Sequence, residues 1–406
     1  MRFRYFVAPF RYAVRSGGSY FSIVPVKLAL SILSVTMIVR VIELDSRGLG
    51  VSLLFLISII STLLAGYLSP YLGGLGRGYG WVVRGLVLLG LSMLYIHVRG
   101  GFIAVLLSAF VLLLVLNIFI YLVYVDIGGH FFRDKWSYLS RLESVGGFYW
   151  MVGLGVGLLM SFSVGYMWNY ALVSILLLTY PLLVGRRLAV PGSSRRLGSG
   201  VSRFRYKYFL LDVFLINFGL SLSYTQVFPY LSSLGADGWI VYALSFLASL
   251  ISMFTYSFVG DHFRGVESLN KGLFIRISAY MALFVLVMFG SILTLYLSPI
   301  VFILFGFSWA YITISLNSYM LMYRDRNLSR LYIAGGFGGG LGSIISGVLI
   351  SYTGYMALLL VSTGFLALSM YLVRRIRLLP TSPAVFLRMA VVEQVRLRAR
   401  TGIRNR

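Results

Sequence analysis

The sequence has no cysteine, so it builds no disulfide framework and offers no thiolate as nucleophile or metal ligand. Histidine is nearly as scarce: His97, His130 and His262 stand far apart, without the close spacing of a histidine metal site. Acid is rare as well. Eleven Asp plus Glu in 406 residues leave no D-D-x-x-D run of the kind that holds metal in prenyl or glycosyl transfer. No G-x-x-x-x-G-K-[ST] stretch occurs, and no connecting segment is long enough for a nucleotide-binding domain. ATP bound by this chain is therefore excluded as an energy source, and no cofactor is expected.

What fills the chain is apolar. Hydrophobic residues make up 59% and charged residues 11%, with a mean hydropathy of +0.90, far outside the range of a water-soluble domain. The net charge of +24 would suggest nucleic acid in a soluble protein. In a lipid-embedded chain it points to anionic headgroups, so membrane lipid and not nucleic acid is the expected partner. The opening MRFRYFVAPFRYAVRSGG has arginines but no apolar core ending in a small-residue cleavage site, and reads as a cytoplasmic segment, not a removable signal.

A helix needs about 20 mostly apolar residues to cross the hydrocarbon core. Twelve segments qualify, near 20–42, 49–69, 79–97, 102–125, 143–162, 165–184, 208–231, 239–260, 273–296, 299–322, 332–351 and 355–373. Twelve spans put both termini on one side, and the basic residues test that count independently. Assigning both termini and the even-numbered connections to the inside places 31 of the 35 Lys plus Arg on that side, counting Arg84 and Arg276, which lie near the inner ends of spans 3 and 9. The other four are Arg47 and Arg99 on outer loops and Lys27 and Arg40 within span 1. The expectation is an all-α integral membrane protein of the cell membrane with both termini cytoplasmic. Residues 1–19 form the amino-terminal segment, 20–184 a six-helix bundle, 185–207 a basic Gly- and Ser-rich linker, 208–376 a second six-helix bundle and 377–406 a basic tail.

One phrase is written twice. LSRLESVGGF, Leu139 to Phe148, returns as LSRLYIAGGF, Leu328 to Phe337, with seven residues identical 189 positions apart. The copies open spans 5 and 11, the same point in each half. Tyr124 and Asp126 at the end of span 4 find Tyr323 and Asp325 at the end of span 10, 199 positions on. Two halves of parallel topology account for this. Glycines crowd both spans from the repeated phrase onward: Gly146, Gly147, Gly153, Gly155 and Gly157 in span 5, and Gly335, Gly336, Gly338, Gly339, Gly340, Gly342 and Gly347 in span 11. They allow close helix contact, either as static packing or as a sliding surface.

This layout resembles the major facilitator superfamily, over all twelve spans. The likeness rests on the six-plus-six arrangement, the basic central loop, and the connections after spans 2 and 8. The family's loop pattern G-x-L-x-D-x-x-G-R is matched loosely by Ser257, Val259, Asp261 and Arg264 to Gly265. It is also matched by Gly66, Leu68 and Gly73, with Pro70 in the aspartate's place. Span 4 has no arginine like that of proton-coupled members, and span 5 lacks the Gly-Pro pair of drug/proton antiporters, so substrate and coupling ion do not carry over. The resemblance implies two bundles rocking about a central cavity lined by spans 1, 4, 7 and 10. Asp261, where span 8 meets the cytoplasm, is placed to face Arg141 at the start of span 5, and Arg264 and Asp325 match the family's charge cluster; a cytoplasmic latch of these four is expected, with solvated loop charges as the other reading.

Charge inside an apolar span is costly and so informative. Lys27 lies about two turns inside span 1 and Asp212 about one turn inside span 7, positions read as related, either paired across the cavity's inner end or each reaching headgroups. Asp212 is the proton-coupling candidate. Arg40 has Glu43 three residues on, giving a local ion pair or attraction for an anionic solute. With Arg40, the cavity candidates are the mid-depth polar residues Ser34, Asn117, Asn217, Tyr224, Thr313 and Asn317, for which interhelical hydrogen bonding is the alternative. The reading is a monomeric secondary transporter of a small solute, neutral, amphipathic or hydrophobic, coupled to a proton or another ion or to none. A lipid-modifying membrane enzyme and a non-transporting sensor or scaffold are the rivals; no catalytic residue is expected.

Overall fold

The computed structural model describes residues 23–44, 49–73, 75, 78–130, 135–165, 167–184, 203–235, 238–262, 265–289, 291–322 and 328–375. These form helices joined by turns. In chain order they are α1 (Val24–Leu44), α2 (Leu49–Gly73), α3 (Tyr79–Arg99), α4 (Phe102–His130), α5 (Lys135–Ser163), α6 (Met167–Val184), α7 (Arg203–Ser233), α8 (Gly238–Asp261), α9 (Val266–Phe289) and α10 (Ser291–Met322). A last element, Leu328–Arg375, is broken at Gly354, whose φ of 74° lies in the left-handed region that side chains avoid. Its limbs are called α11 (328–353) and α12 (355–375).

Among the described residues nine helices are long and apolar enough to cross a membrane, and α1, α2 and α6 carry shorter apolar stretches. Large apolar side chains such as Leu88, Leu107, Leu182, Phe274, Tyr296 and Tyr352 face outward, where lipid replaces the water that would penalise them. The chain is a multi-pass membrane protein.

The helices begin and end close to the expected spans except in two places. Where a turn is expected just before Pro299, α9 already ends at Phe289 and α10 starts at Ser291, so that Pro299 sits inside α10. A membrane helix tolerates the hydrogen bond that proline removes, because neighbours and hydroxyl side chains satisfy the freed groups. Thr294 meanwhile ties the start of α10 to the end of α9 by donating to the Leu286 carbonyl at 2.9 Å. As a result Arg276, near the edge of the expected span, is the eleventh of 24 residues in α9. Similarly α5 begins at Lys135, not 143, which carries Glu143 well inside its helix.

The written echo becomes an echo in packing. Gly146 lies against Lys27 of α1, and Gly335, 189 residues later, against Asn217 of α7. A Cβ on Gly153 would stand 2.9 Å from the Leu28 carbonyl oxygen, and one on Gly342 2.6 Å from that of Phe218. The same stagger also holds on the next face: Gly147 meets Tyr256 of α8 and Gly336 meets Thr62 and Leu63 of α2. Thus α5 packs on α1 with one face and α8 with the other, and α11 packs on α7 and α2 in the same manner. Contacts this close need residues without a side chain.

Candidate functional site

Two places in the bundle bring chemistry-bearing side chains together. The first is where helices of residues 24–184 meet those of 203–375. Ser144 of α5 donates to the Met253 carbonyl of α8 at 2.9 Å, and Ser257 donates to Ser144 Oγ at 3.0 Å. Asn317 of α10 reaches the Glu143 carboxylate of α5 at 3.4 Å. On the opposite flank Gly340 of α11 leaves room for Ile59 of α2. The Ser144, Ser257 and Asn317 contacts lie toward the end where α8 and α10 finish and α5 starts, whereas Gly340 and Ile59 lie near the middles of α11 and α2. The two sets of helices are closed against each other at these contacts.

The second place is built on α9. Arg276 is 3% exposed, with its guanidinium 4.4 Å from the centre of the Phe305 ring and 5.8 Å from that of Tyr280. Nη2 donates to the Phe305 carbonyl at 3.2 Å, and Nε has no partner. Among the described residues no carboxylate pairs with it. Tyr224 of α7 sets its ring edge-on to Phe305 at 5.8 Å, and Tyr280 donates to the Leu220 carbonyl at 2.8 Å. The apolar run around Ile275 and Ile277 is the sequence signal for Arg276, hidden when the span is taken to start at 273. A late expected start hides Glu143 in the same way.

The other sequence candidates are dispersed. Ser34 returns its hydroxyl to the Ser31 carbonyl at 2.7 Å, and Asn217 its amide to that of Val213 at 2.8 Å. Asn117 donates to Thr62 at 3.2 Å, joining α4 to α2. Thr313 bonds the hydroxyl of Tyr256. Arg40 donates to the carbonyls of Val98 and Gly100 at 3.3 and 3.5 Å, tying α1 to the turn after α3, while the Glu43 side chain lies outside the described residues. Asp212, 1% exposed, takes a bond from Ser369 of α12 at 2.7 Å through Oδ1, and its Oδ2 is buried without a partner.

One expectation is corrected. Lys27 and Asp212 are not related positions and form no ion pair: the packing stagger makes Asn217 the counterpart of Lys27, and Lys27 lies over Trp150 with its ammonium 5.9 Å from the ring centre. Asp212 instead packs toward α12. The side chains of the four latch candidates, Arg141, Asp261, Arg264 and Asp325, lie outside the described residues, as do the amino-terminal segment, the central linker up to residue 202 and the tail from 376.

The whole arrangement was compared with known proteins. No family model and no curated protein matches the sequence. Solved structures do match. The crystal structure of the human organic anion transporter MFSD10 (TETRAN) superposes with a TM-score of 0.68 at 16% identity, covering 87% of this chain and 98% of that one. A bacterial homologue of the iron transporter ferroportin, in its outward-facing state, gives 0.66 at 13% identity, with 92% and 98% covered. The chain has the major facilitator fold. These two structures are of transporters, and both are matched over almost their full length.

Proposed function

We propose that this chain is a secondary transporter that moves a small solute across the cell membrane by alternating access. In this reading twelve spans form two six-helix bundles, both termini are cytoplasmic, and the protein works as a monomer. The observation that carries it is the matched glycine packing: Gly147 of α5 against α8 and Gly336 of α11 against α2 are two equivalent seams between the bundles, in the half of the molecule where α2 and α8 finish and α5 and α11 start. The excess of basic residues in the loops at that end supports its being the cytoplasmic side. The described arrangement is then the cytoplasm-closed state. Likeness in fold to two transporters, one of them outward-facing, supports the same assignment.

The latch belongs to this reading. Arg141 lies three residues before Ser144 on α5, and Asp261 lies four after Ser257 on α8. Both are about one helical turn beyond the serine contact toward the closed end, so register sets them as neighbours across the seam. Arg264 and Asp325 would extend the cluster. Asp212 is the residue proposed to couple transport to a proton, since its Oδ2 is a buried place a proton can occupy.

The test is solute counterflow. Purified protein is screened for solutes that raise its melting temperature, because ligands that bind the folded state stabilise it by mass action. The stabilising solutes are then loaded into proteoliposomes and exchanged against labelled solute. Exchange faster than in protein-free liposomes is expected. A stabilising solute that never exchanges identifies a sensor or scaffold, and conversion of the solute identifies an enzyme.

A further inference from the structure

Arg276 is a cation buried within a membrane helix and lacks a carboxylate partner among the described residues. A charge in such a position is retained only where something compensates for its lost hydration. The bond to the Phe305 carbonyl, the hydroxyl of Tyr280 and the faces of Phe305 and Tyr280 offset part of that cost, and Nε has no hydrogen-bond partner. Its depth is also informative. Ten residues of α9 precede it, about 15 Å at 1.5 Å per residue, which sets it near the middle of a 30 Å core. Transporters bind solutes at that depth, between helices. Tyr224, on α7, adds an aromatic ring edge-on to Phe305.

The geometry points to a subsite for an organic monoanion, in which a single carboxylate or sulfonate takes the Nε–H of Arg276 while an apolar or aromatic body lies against Phe305 and Tyr224. This rests on the transport reading for its role, and names the class of solute carried. One guanidinium supplies one compensating charge, so a monoanion fits and a polyanion does not. The planar donor edge suits carboxylate and sulfonate oxygens, whereas a lysine would offer only a point charge. The surrounding rings reward an aromatic body by stacking and dispersion.

The test uses the full-length protein purified in a neutral detergent, with 1-naphthoate as probe and the isosteric neutral 1-naphthamide as control. Melting is followed by tryptophan fluorescence at a probe concentration well above its dissociation constant. The naphthoate is expected to raise the melting temperature by about 2 °C or more, and the amide to leave it unchanged. In Arg276→Gln the naphthoate shift disappears. In Arg276→Lys, which keeps the charge and guards against misfolding of the first variant, affinity falls about tenfold or more. Equal shifts from naphthoate and naphthamide, or an undiminished naphthoate shift in both variants, overturn the proposal.

An added arm titrates phosphatidylglycerol against phosphatidylcholine in the micelle. A shift that depends on Arg276 but answers only to the anionic lipid assigns the site to a headgroup and overturns the solute assignment. The two readings also fail separately. Naphthoate that protects the protein but never exchanges in proteoliposomes removes the transport reading and leaves the anion site. Neutral solutes that exchange while no anion protects do the reverse.

Discussion

The glycine seams make a quantitative demand that a matched pair of alanine variants can meet. A Cβ added at Gly338 of α11 runs into the backbone carbonyl of Phe214 on α7, a neighbour that cannot rotate away. A Cβ added at Gly155 of α5 finds open space within 4 Å. Both substitutions raise intrinsic helix propensity by the same amount, about 1 kcal/mol, so that contribution cancels in the comparison. What remains is overpacking at one site, which typically costs about 1–3 kcal/mol because backbones must separate. For a chain of this size that corresponds to a melting temperature roughly 1–4 °C lower for Gly338→Ala than for Gly155→Ala. The assay is thermal unfolding in one detergent, read by the six tryptophans; thiol-reactive dyes have nothing to label in a chain without cysteine. Equal melting temperatures would refute the claim that α7 and α11 touch through backbone at Gly338. A larger loss at Gly155 would show that the face of α5 taken as open is covered.

The same contacts carry other expectations. Glu143→Gln keeps the shape of the α5–α10 contact and removes its charge; with Asn317→Ala it should shift the population toward opening at that end. Spin labels on introduced cysteines would read this directly, and no shift in either variant removes the pair from the gate. Asp261→Asn should weaken closure in the same measurement; unchanged transport together with an unchanged open fraction dismisses the latch. Asp212→Asn keeps the acceptor for Ser369 while removing the proton carrier, so uptake should lose its response to an imposed pH gradient. Uptake that still follows the gradient clears Asp212 of that role.

How far the sequence can be read depends on where its signals are local. Apolar run lengths place most helices within a few residues, and the Gly146–Gly147 and Gly335–Gly336 pairs mark the seams from sequence alone. The start of α10 at Ser291 escapes such a reading because Ser298–Pro299 is the louder punctuation, although a membrane helix accommodates proline. That single displacement puts Arg276 near the expected span's edge. The Lys27–Asp212 relation fails for a different reason. Counting turns from a span's start fixes depth but not direction, and only the stagger between α1 and α5 shows that Lys27 corresponds to Asn217. Partners such as Ser369 for Asp212, 157 residues away, leave no trace in local periodicity.

The serine contact between α5 and α8 carries a final consequence. Ser144 bonds the carbonyl of Met253, which is the carbonyl one turn before Ser257 on the same helix. In a helix a serine hydroxyl readily bonds the carbonyl four residues earlier. When the helices part, Ser257 can therefore turn to the acceptor that Ser144 gives up, and Ser144 can fall back on its own helix at Ser140. Neither hydroxyl is stranded in hydrocarbon, so the count of satisfied groups is the same on both sides of the motion. This seam behaves as an exchange of partners, not a bond to be broken, and leaves the balance between the two states to be tipped by whatever the bundle carries.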